Sequence, residues 1–179
     1  PWTLLVYMLN KVSPKNGLPK GFFEDKILID EILKSLDKFI KIHIENQINA
    51  GATIIQIFDS WAGLVKKDFD RFLYNPNLSL VNHVKKLGVP VICFPRGISD
   101  YVKFSKIVKP SMVNIDYNVD AENIVKSLDI PIQGGLDPKL LLTDKEILKR
   151  EAQKYLQIFK DHPYVFNLGH GILPETKVE

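Results

Sequence analysis

Five short apolar segments alternate with helical segments along this chain, and that alternation restricts the folds open to it. The predicted strands cover residues 52–58, 89–94, 112–115, 130–133 and 164–168. The segments between them have helical spacing of apolar residues or begin with capping residues. Strands that are separated from one another by helices form βαβ units around a parallel sheet. The pattern therefore predicts an α/β fold with parallel strands.

Helical spacing is clearest in the segment before the first strand. Apolar residues recur at helical intervals from Ile29 to Ile48, and Gly51 follows where a C-terminal cap glycine belongs, which predicts a helix over about 24–50. Further helices are predicted over 67–87, with an interruption near Pro76, and over 98–108, 120–128 and about 143–160. The last of these opens with the capping-box signature Thr143-Asp144-Lys145-Glu146. The opening segment, residues 2–9, fits either a strand or a helix.

The composition is that of an ordinary globular protein and excludes several functional classes. The chain has 179 residues, of which 45% are hydrophobic and 25% are charged, so we expect one domain over residues 1–179. No apolar run approaches the roughly 20 residues of a membrane span, and no signal peptide is visible. The net charge is only +3, and the lysines lie beside acidic residues at helical spacing. This pattern is typical of a solvated surface, so neither a membrane nor a nucleic acid is an expected partner.

Cysteine and arginine are both scarce. Cys93 is the only cysteine, which rules out an intrachain disulfide framework and a metal site with several thiolates. A reducing cytoplasm is the simplest location for such a chain. The three arginines are Arg71, Arg96 and Arg150, so an anionic ligand would find few bidentate partners here.

Polar side chains follow the predicted strands at the points where the strands end. They are Asp59, Ser60, Arg96, Asp116, Asp137 and His170. Ligands of α/β barrels and of doubly wound sheets bind at the carboxyl ends of the strands. The opposite edge, at Gly51, Gly88 and Pro163, carries only turn residues. We therefore expect a ligand site along one edge of the sheet.

Each of these residues also has a structural interpretation. A lone histidine in a loop is more often structural than functional, but His170 lies between two glycines that could let ligand and backbone come close. The strand-end aspartates could be acids, metal ligands or, by default, caps of the next helix. Ser60 lacks the glycines of a nucleophile elbow and fits better as a hydroxyl donor. Tyr7 fits the core as well as a site, and the other histidines, at 43, 83 and 162, are weaker candidates.

Segments with a specific order and spacing resemble those of the uroporphyrinogen decarboxylase family. They read "PWTLLVYML", "QIFDSWAG", "PVICFPRG", "VNIDYNVD", "QGGLDP" and "FNLGHGILP", and together they span essentially the whole chain. The resemblance implies a (β/α)8 TIM barrel, of which about five or six of the eight units would be present. It also implies a chain that lacks the N-terminal part and the extreme C-terminus of such an enzyme.

The resemblance further implies an activity. The family removes CO2 from the four acetate side chains of uroporphyrinogen III to give coproporphyrinogen III in heme and chlorophyll synthesis. It does so without a metal or an organic cofactor, as a cytoplasmic homodimer. Tyr7, Ser60 and His170 match substrate-binding residues of the family. No catalytic residue is expected in this chain, because the family's aspartate and its arginine clamps lie upstream; we therefore expect the isolated chain to be inactive.

Two positions depart from the family pattern, and two other functions compete with the decarboxylase. Gly135 stands where the family usually has asparagine, and Tyr117 stands where tryptophan is common. A zinc-dependent cobamide methyltransferase shares the barrel, but it needs a histidine and cysteine ligand pattern that the segment around Cys93 lacks. A non-catalytic tetrapyrrole-binding protein also fits the residues present.

Overall fold

The computed structural model describes residues 1–15 and 17–177, which form two compact units. The N-terminal unit covers Pro1–Pro110 and the C-terminal unit covers Ser111–Glu179. The helices are α1 (Trp2–Asn10), α2 (Lys26–Asn49), α3 (Asn75–Lys86), α4 (Tyr101–Val108), α5 (Ala121–Ser127) and α6 (Lys145–Ile158). The strands are β1 (Ile55–Phe58), β2 (Val91–Phe94), β3 (Met112–Ile115), β4 (Ile132–Gly134) and β5 (Tyr164–Val165). Each strand falls in a segment predicted to contain one, although β4 ends one residue beyond its predicted segment.

The N-terminal unit is built on the parallel pair β1 and β2. Ile55 pairs with Val91 and Phe58 pairs with Phe94, so both strands end at the same edge. The intervening helix α3 returns the chain to the start of β2, which is why the pair is parallel. Apolar residues of β1 and β2 form one core with the inner faces of α2, α3 and α4. Burial on one side of β1 and on both sides of β2 accounts for their apolar sequences.

The ambiguous opening segment is helical. Trp2, Leu5 and Val6 are fully buried, and their spacing places them on one side of α1. They pack in a second core with Phe22 and Phe72, whose rings lie 5.8 and 5.2 Å from that of Trp2. The same apolar residues would have alternated between two faces of a strand, so contacts with distant residues decide the conformation here.

The C-terminal unit contains three parallel strands, β3, β4 and β5. A bridge between Leu136 and Leu168 extends the pairing beyond β4 and β5. The hydroxyl groups of Tyr155 and Tyr164 each donate a 2.7 Å hydrogen bond, to the carbonyl oxygens of Gly135 and Gly134 respectively. Burial raises the pKa of both tyrosines, so they remain protonated donors at neutral pH.

Some predicted boundaries were wrong for identifiable reasons. The N-cap of α6 is Asp144, not Thr143, since the Asp144 carboxylate accepts bonds from the backbone N–H groups of Glu146 and Ile147. The helix predicted over 67–87 begins as a π-helical segment, Asp70–Tyr74, and Pro76 lies in the first turn of α3, where its missing N–H costs nothing. The last strand is shorter than predicted.

The thiol of Cys93 lies inside the N-terminal core. It is 1% exposed, and burial, together with the negative charge of Asp59, raises its pKa above the ordinary value. Because the thiolate is the reactive form, we expect the native protein to react with a disulfide reagent at pH 8 at least about 100-fold more slowly than the unfolded protein. Stopped-flow absorbance with and without guanidinium chloride measures both rates. Equal rates would show that the thiol is accessible.

Candidate functional site

The carboxyl ends of β1 and β2 carry the polar residues that the sequence predicted for this edge. Ser60 follows β1, and Arg96 follows β2. The two loops are tied together by a 2.9 Å hydrogen bond from the Gly63 N–H to the Arg96 carbonyl oxygen. They also touch so closely that a Cβ on Gly63 would lie 2.5 Å from the carbonyl oxygen of Gly97. The edge of this unit is therefore a closely packed pair of loops.

Asp59 caps a helix, but it is not the helix that follows it in sequence. Its carboxylate is 1% exposed and accepts bonds from the backbone N–H and the hydroxyl of Thr3, at 2.7 and 2.8 Å. Thr3 lies in the first turn of α1, whose N-cap residue Pro1 offers no side-chain cap. The amide of Asn77 donates a further bond of 3.2 Å to the same carboxylate. Asp59 therefore joins the start of α1 to the end of β1.

The same network joins the helix and the loop that carry the two predicted substrate-binding residues of this unit, Tyr7 and Ser60. The backbone N–H of Trp61 donates to the Thr3 hydroxyl at 3.0 Å, and the Trp2 indole N–H donates to the Trp61 carbonyl oxygen at 2.8 Å. These bonds attach α1, which carries Tyr7, to the loop that carries Ser60. Tyr7 is 43% exposed and so is not a core residue. The structure therefore places Tyr7 on a surface whose supporting helix is fixed to the Ser60 loop.

His170 lies in the C-terminal unit, after the short strand β5. It is partly exposed, its Nδ1 atom lies 3.0 Å from the carbonyl oxygen of Gly171, and its ring meets the ring of Tyr117 edge-on at 6.3 Å. Tyr117 follows β3, so the loops after β3 and β5 meet in this unit. Within the C-terminal unit, His170 and Tyr117 form the aromatic part of the strand-end surface.

The two glycines that flank His170 have different roles. A Cβ on Gly169 would overlap with the backbone nitrogen of Tyr117 and lie 2.7 Å from the carbonyl carbon of Asp116. A Cβ on Gly171 would meet nothing within 4 Å. The expectation that both glycines leave room for a ligand was therefore wrong for Gly169, because the loop after β3 fills that space. Of the two glycines, Gly171 is the one that borders open space among the described residues of this unit.

The other predicted aspartates have local structural roles. Asp137 caps the 3-10 helix Pro138–Leu142 by accepting a 2.9 Å bond from the Lys139 N–H, as the default interpretation had it. Asp116 is 3% exposed and accepts a 2.9 Å bond from the Asn118 N–H in the turn after β3. Both carboxylates therefore stabilise loops at the strand ends.

The departure at position 135 has a structural basis. Gly135 has a φ angle of +95°, and a Cβ there would lie 2.9 Å from the ring of Tyr155. Asparagine in this position would require that ring to move.

Two buried amides were not predicted from the sequence. The side-chain amide of Gln133 on β4 donates a 2.7 Å bond to the side-chain carbonyl oxygen of Asn114 on β3. The sequence signal that could have revealed this hydrogen bond was the presence of Asn114 and Gln133 within otherwise apolar strand segments.

Two of the three weaker histidines have partners away from the strand ends. The Nε2 atom of His83 lies 3.0 Å from the Glu45 carboxylate, and that of His162 lies 2.9 Å from the Ile130 carbonyl oxygen. Among residues 1–15 and 17–177, no group of three or more histidine, cysteine or acidic side chains could hold a metal ion. In the same residues, no helix combines the length and the apolar character that crossing a membrane requires.

Comparison with known proteins identifies the family. A model of the uroporphyrinogen decarboxylase (URO-D) family matches residues 1–179. The uroporphyrinogen decarboxylases of Rickettsia conorii and Rickettsia rickettsii are each 38% identical over 186 aligned residues, which cover 100% of this chain and 54% of each relative. That of Rickettsia bellii is also 38% identical over 186 residues, and 55% of it is covered. The chain therefore spans about half the length of the curated relatives that it matches.

The family and the observed architecture agree. Its members are TIM barrels, and the parallel strands with intervening helices described above are those of a partial TIM barrel, which confirms the predicted fold class. The match covers the segments that carry Tyr7, Ser60 and His170. On the match over its whole length and on this architecture, the chain belongs to the uroporphyrinogen decarboxylase family.

Proposed function

We propose that the protein containing this chain decarboxylates the four acetate side chains of uroporphyrinogen III to give coproporphyrinogen III, in tetrapyrrole synthesis leading to heme and chlorophyll. The observation that carries the proposal is the family match over residues 1–179. It is supported by the polar residues at the strand ends of both units, which is where barrel enzymes bind their substrates. The 38% identity to proteins named uroporphyrinogen decarboxylase points the same way.

In the proposed mechanism, residues of this chain bind the substrate and do not perform the chemistry. Tyr7, Ser60 and His170 would contact the tetrapyrrole with hydroxyl and imidazole groups, which suit carboxylates and pyrrole N–H groups. A protonated pyrrole ring of the substrate would accept the electrons of the breaking C–C bond as CO2 leaves. The carboxylate that balances this positive charge is expected upstream of residue 1, and no metal or organic cofactor takes part.

The proposal also covers the domain, the assembly and the compartment of the whole protein, and the activity of the isolated chain. Residues 1–179 would form part of one barrel domain, in a cytoplasmic homodimer that has no nucleic-acid partner. The isolated chain would be inactive, because electrostatic stabilisation supplies a large share of such rate enhancements and its main group would be absent. The alternative of a zinc-dependent methyltransferase is disfavoured by Cys93, whose thiol is enclosed in the core and lies 1% exposed.

The test uses the polypeptide expressed from the whole open reading frame that contains these residues. It is incubated anaerobically with uroporphyrinogen and a chelator, and the products are separated by their number of carboxylates. We expect stepwise loss of four carboxylates, and no conversion by residues 1–179 alone. Tight binding of uroporphyrin without conversion would instead support a non-catalytic tetrapyrrole-binding protein. Conversion that stops when the chelator is added would contradict a mechanism without a metal.

A further inference from the structure

We propose that Arg96 binds a carboxylate of the anionic ligand at the strand edge of the N-terminal unit. Arg96 lies two residues after the end of β2 and is partly buried in the loop pair described above. The inference rests on the proposed function, which supplies a substrate with several carboxylates, and it adds a residue to Tyr7, Ser60 and His170.

The guanidinium of Arg96 has few partners for its five N–H donors. In the described part of the chain, its hydrogen bond is a long one, 3.4 Å from Nη1 to the Ser60 carbonyl oxygen. Its charged carbon lies 5.8 Å from the centre of the Trp61 ring, in a cation–π contact. Those contacts hold the side chain against the loop after β1 and leave most of its donors available. A planar guanidinium group with available N–H donors can bind a carboxylate through two parallel hydrogen bonds.

The other two arginines already have carboxylate partners. Arg71 donates bonds of 2.6 and 2.9 Å to Asp30, between α2 and the π-helical segment. Arg150 lies 3.2 Å from the Glu151 carboxylate on α6. Among the residues that the structure describes, no carboxylate lies within ion-pair distance of Arg96. Of the three arginines, Arg96 is therefore the one that lies at the predicted ligand edge, and it is also the one without a carboxylate partner among the described residues.

The nearby groups do not supply that anion. The carboxylate of Asp59 already accepts three hydrogen bonds, two from Thr3 and one from Asn77. The Trp61 side chain adds a donor, since its buried indole N–H has no acceptor among the described residues. Buried donors are nearly always paired in folded proteins, so a local surplus of donors calls for an external acceptor. A ligand carboxylate at Arg96 would supply negative charge where this surplus lies.

A hollow bordered by Gly97, the residue that follows Arg96, is too small for the whole ligand. The loops after β1 and β2 enclose about 150 Å³, lined in part by Gly63, Lys66, Phe69 and Gly97. Sites for drug-sized ligands usually measure about 300–1,000 Å³, and a tetrapyrrole is larger than most such ligands. Arg96 would therefore contact a side chain of the macrocycle at the edge of the site, and not enclose the ring.

The test compares Arg96→Met, which keeps an unbranched stem but removes the charged guanidinium group, with Arg96→Lys and with the control Arg150→Met. All are made in the polypeptide from the whole open reading frame. We expect Arg96→Met to raise the KM for uroporphyrinogen and the Kd for uroporphyrin about tenfold, with kcat changed less than about threefold. It should also reduce the dependence of Kd on salt concentration, because one ion pair is lost. Arg96→Lys should retain that salt dependence, and Arg150→Met should match the wild type.

The outcomes separate this inference from the proposed function. If the wild type neither converts uroporphyrinogen nor binds uroporphyrin, the proposed function fails and the ligand of Arg96 fails with it. If the wild type is active but Arg96→Met equals Arg150→Met in KM and Kd, only the inference about Arg96 is overturned. A raised Kd with unchanged salt dependence would also overturn it, since Arg96 would then act only by holding the Ser60 loop. Thermal unfolding of each variant checks that it is folded.

Discussion

Replacing Asp59 with alanine should lower the free energy of unfolding by about 3 kcal/mol. The substitution would leave the Thr3 N–H, the Thr3 hydroxyl and the Asn77 amide without the acceptor that they share. Asn77 is 1% exposed, so its amide could not recover a bond to water without local opening. Urea unfolding of the polypeptide from the whole open reading frame measures the change. Amide hydrogen exchange should accelerate most in α1, because that helix loses its cap.

An exposed cap provides the matched control for this prediction. Asp25 caps α2 by accepting a 2.9 Å bond from the Leu28 N–H, but its side chain lies in solvent. Asp25→Ala should cost only about 1 kcal/mol, the ordinary value of an N-cap. Equal losses for the two variants would contradict the network drawn around Asp59, in which one buried carboxylate connects a strand, a helix and the amide of Asn77.

Replacing Gly169 with alanine should destabilise the protein by about 3 kcal/mol, while Gly171→Ala should change stability by less than about 0.5 kcal/mol. At position 169 the added methyl group would meet backbone atoms of Asp116 and Tyr117, which cannot rotate away as a side chain could. At position 171 it would meet nothing within 4 Å. Gly169 and Gly171 flank His170, so the two variants carry the same substitution at neighbouring positions of one loop. Urea unfolding again gives the two free energies.

The position of His170 provides a second measurement for the same pair. Because Gly169 holds the histidine loop against the loop after β3, Gly169→Ala should move the ring away from its 6.3 Å contact with Tyr117. The imidazole proton resonances of His170 should then shift in NMR spectra of Gly169→Ala and stay unchanged in Gly171→Ala, apart from the effect of the adjacent methyl group. Equal stability of both variants would show that the two loops are not in firm contact.

Much of the fold was predictable because it depends on local patterns. The period of the apolar residues gave α2, and the short apolar runs gave five strand positions. The polar residues after those runs gave the strand-end edge before any contact was known. What local pattern could not give was the partner of each polar group. Asp59 was assigned by default to the helix that follows it, but it caps α1, whose Thr3 lies 56 positions away in sequence.

The sequence by itself determined the parallel α/β architecture, the edge that carries the polar residues and the family to which the chain belongs. Periodicity, turn residues and motif order are properties of neighbouring positions, so they can be read without coordinates. The tertiary structure decided that the opening segment is a helix, that Gly169 packs against the loop after β3, and that Arg96 uses few of its donors within the described residues. These features depend on packing and hydrogen bonding between residues far apart in sequence, and only folding brings such residues together.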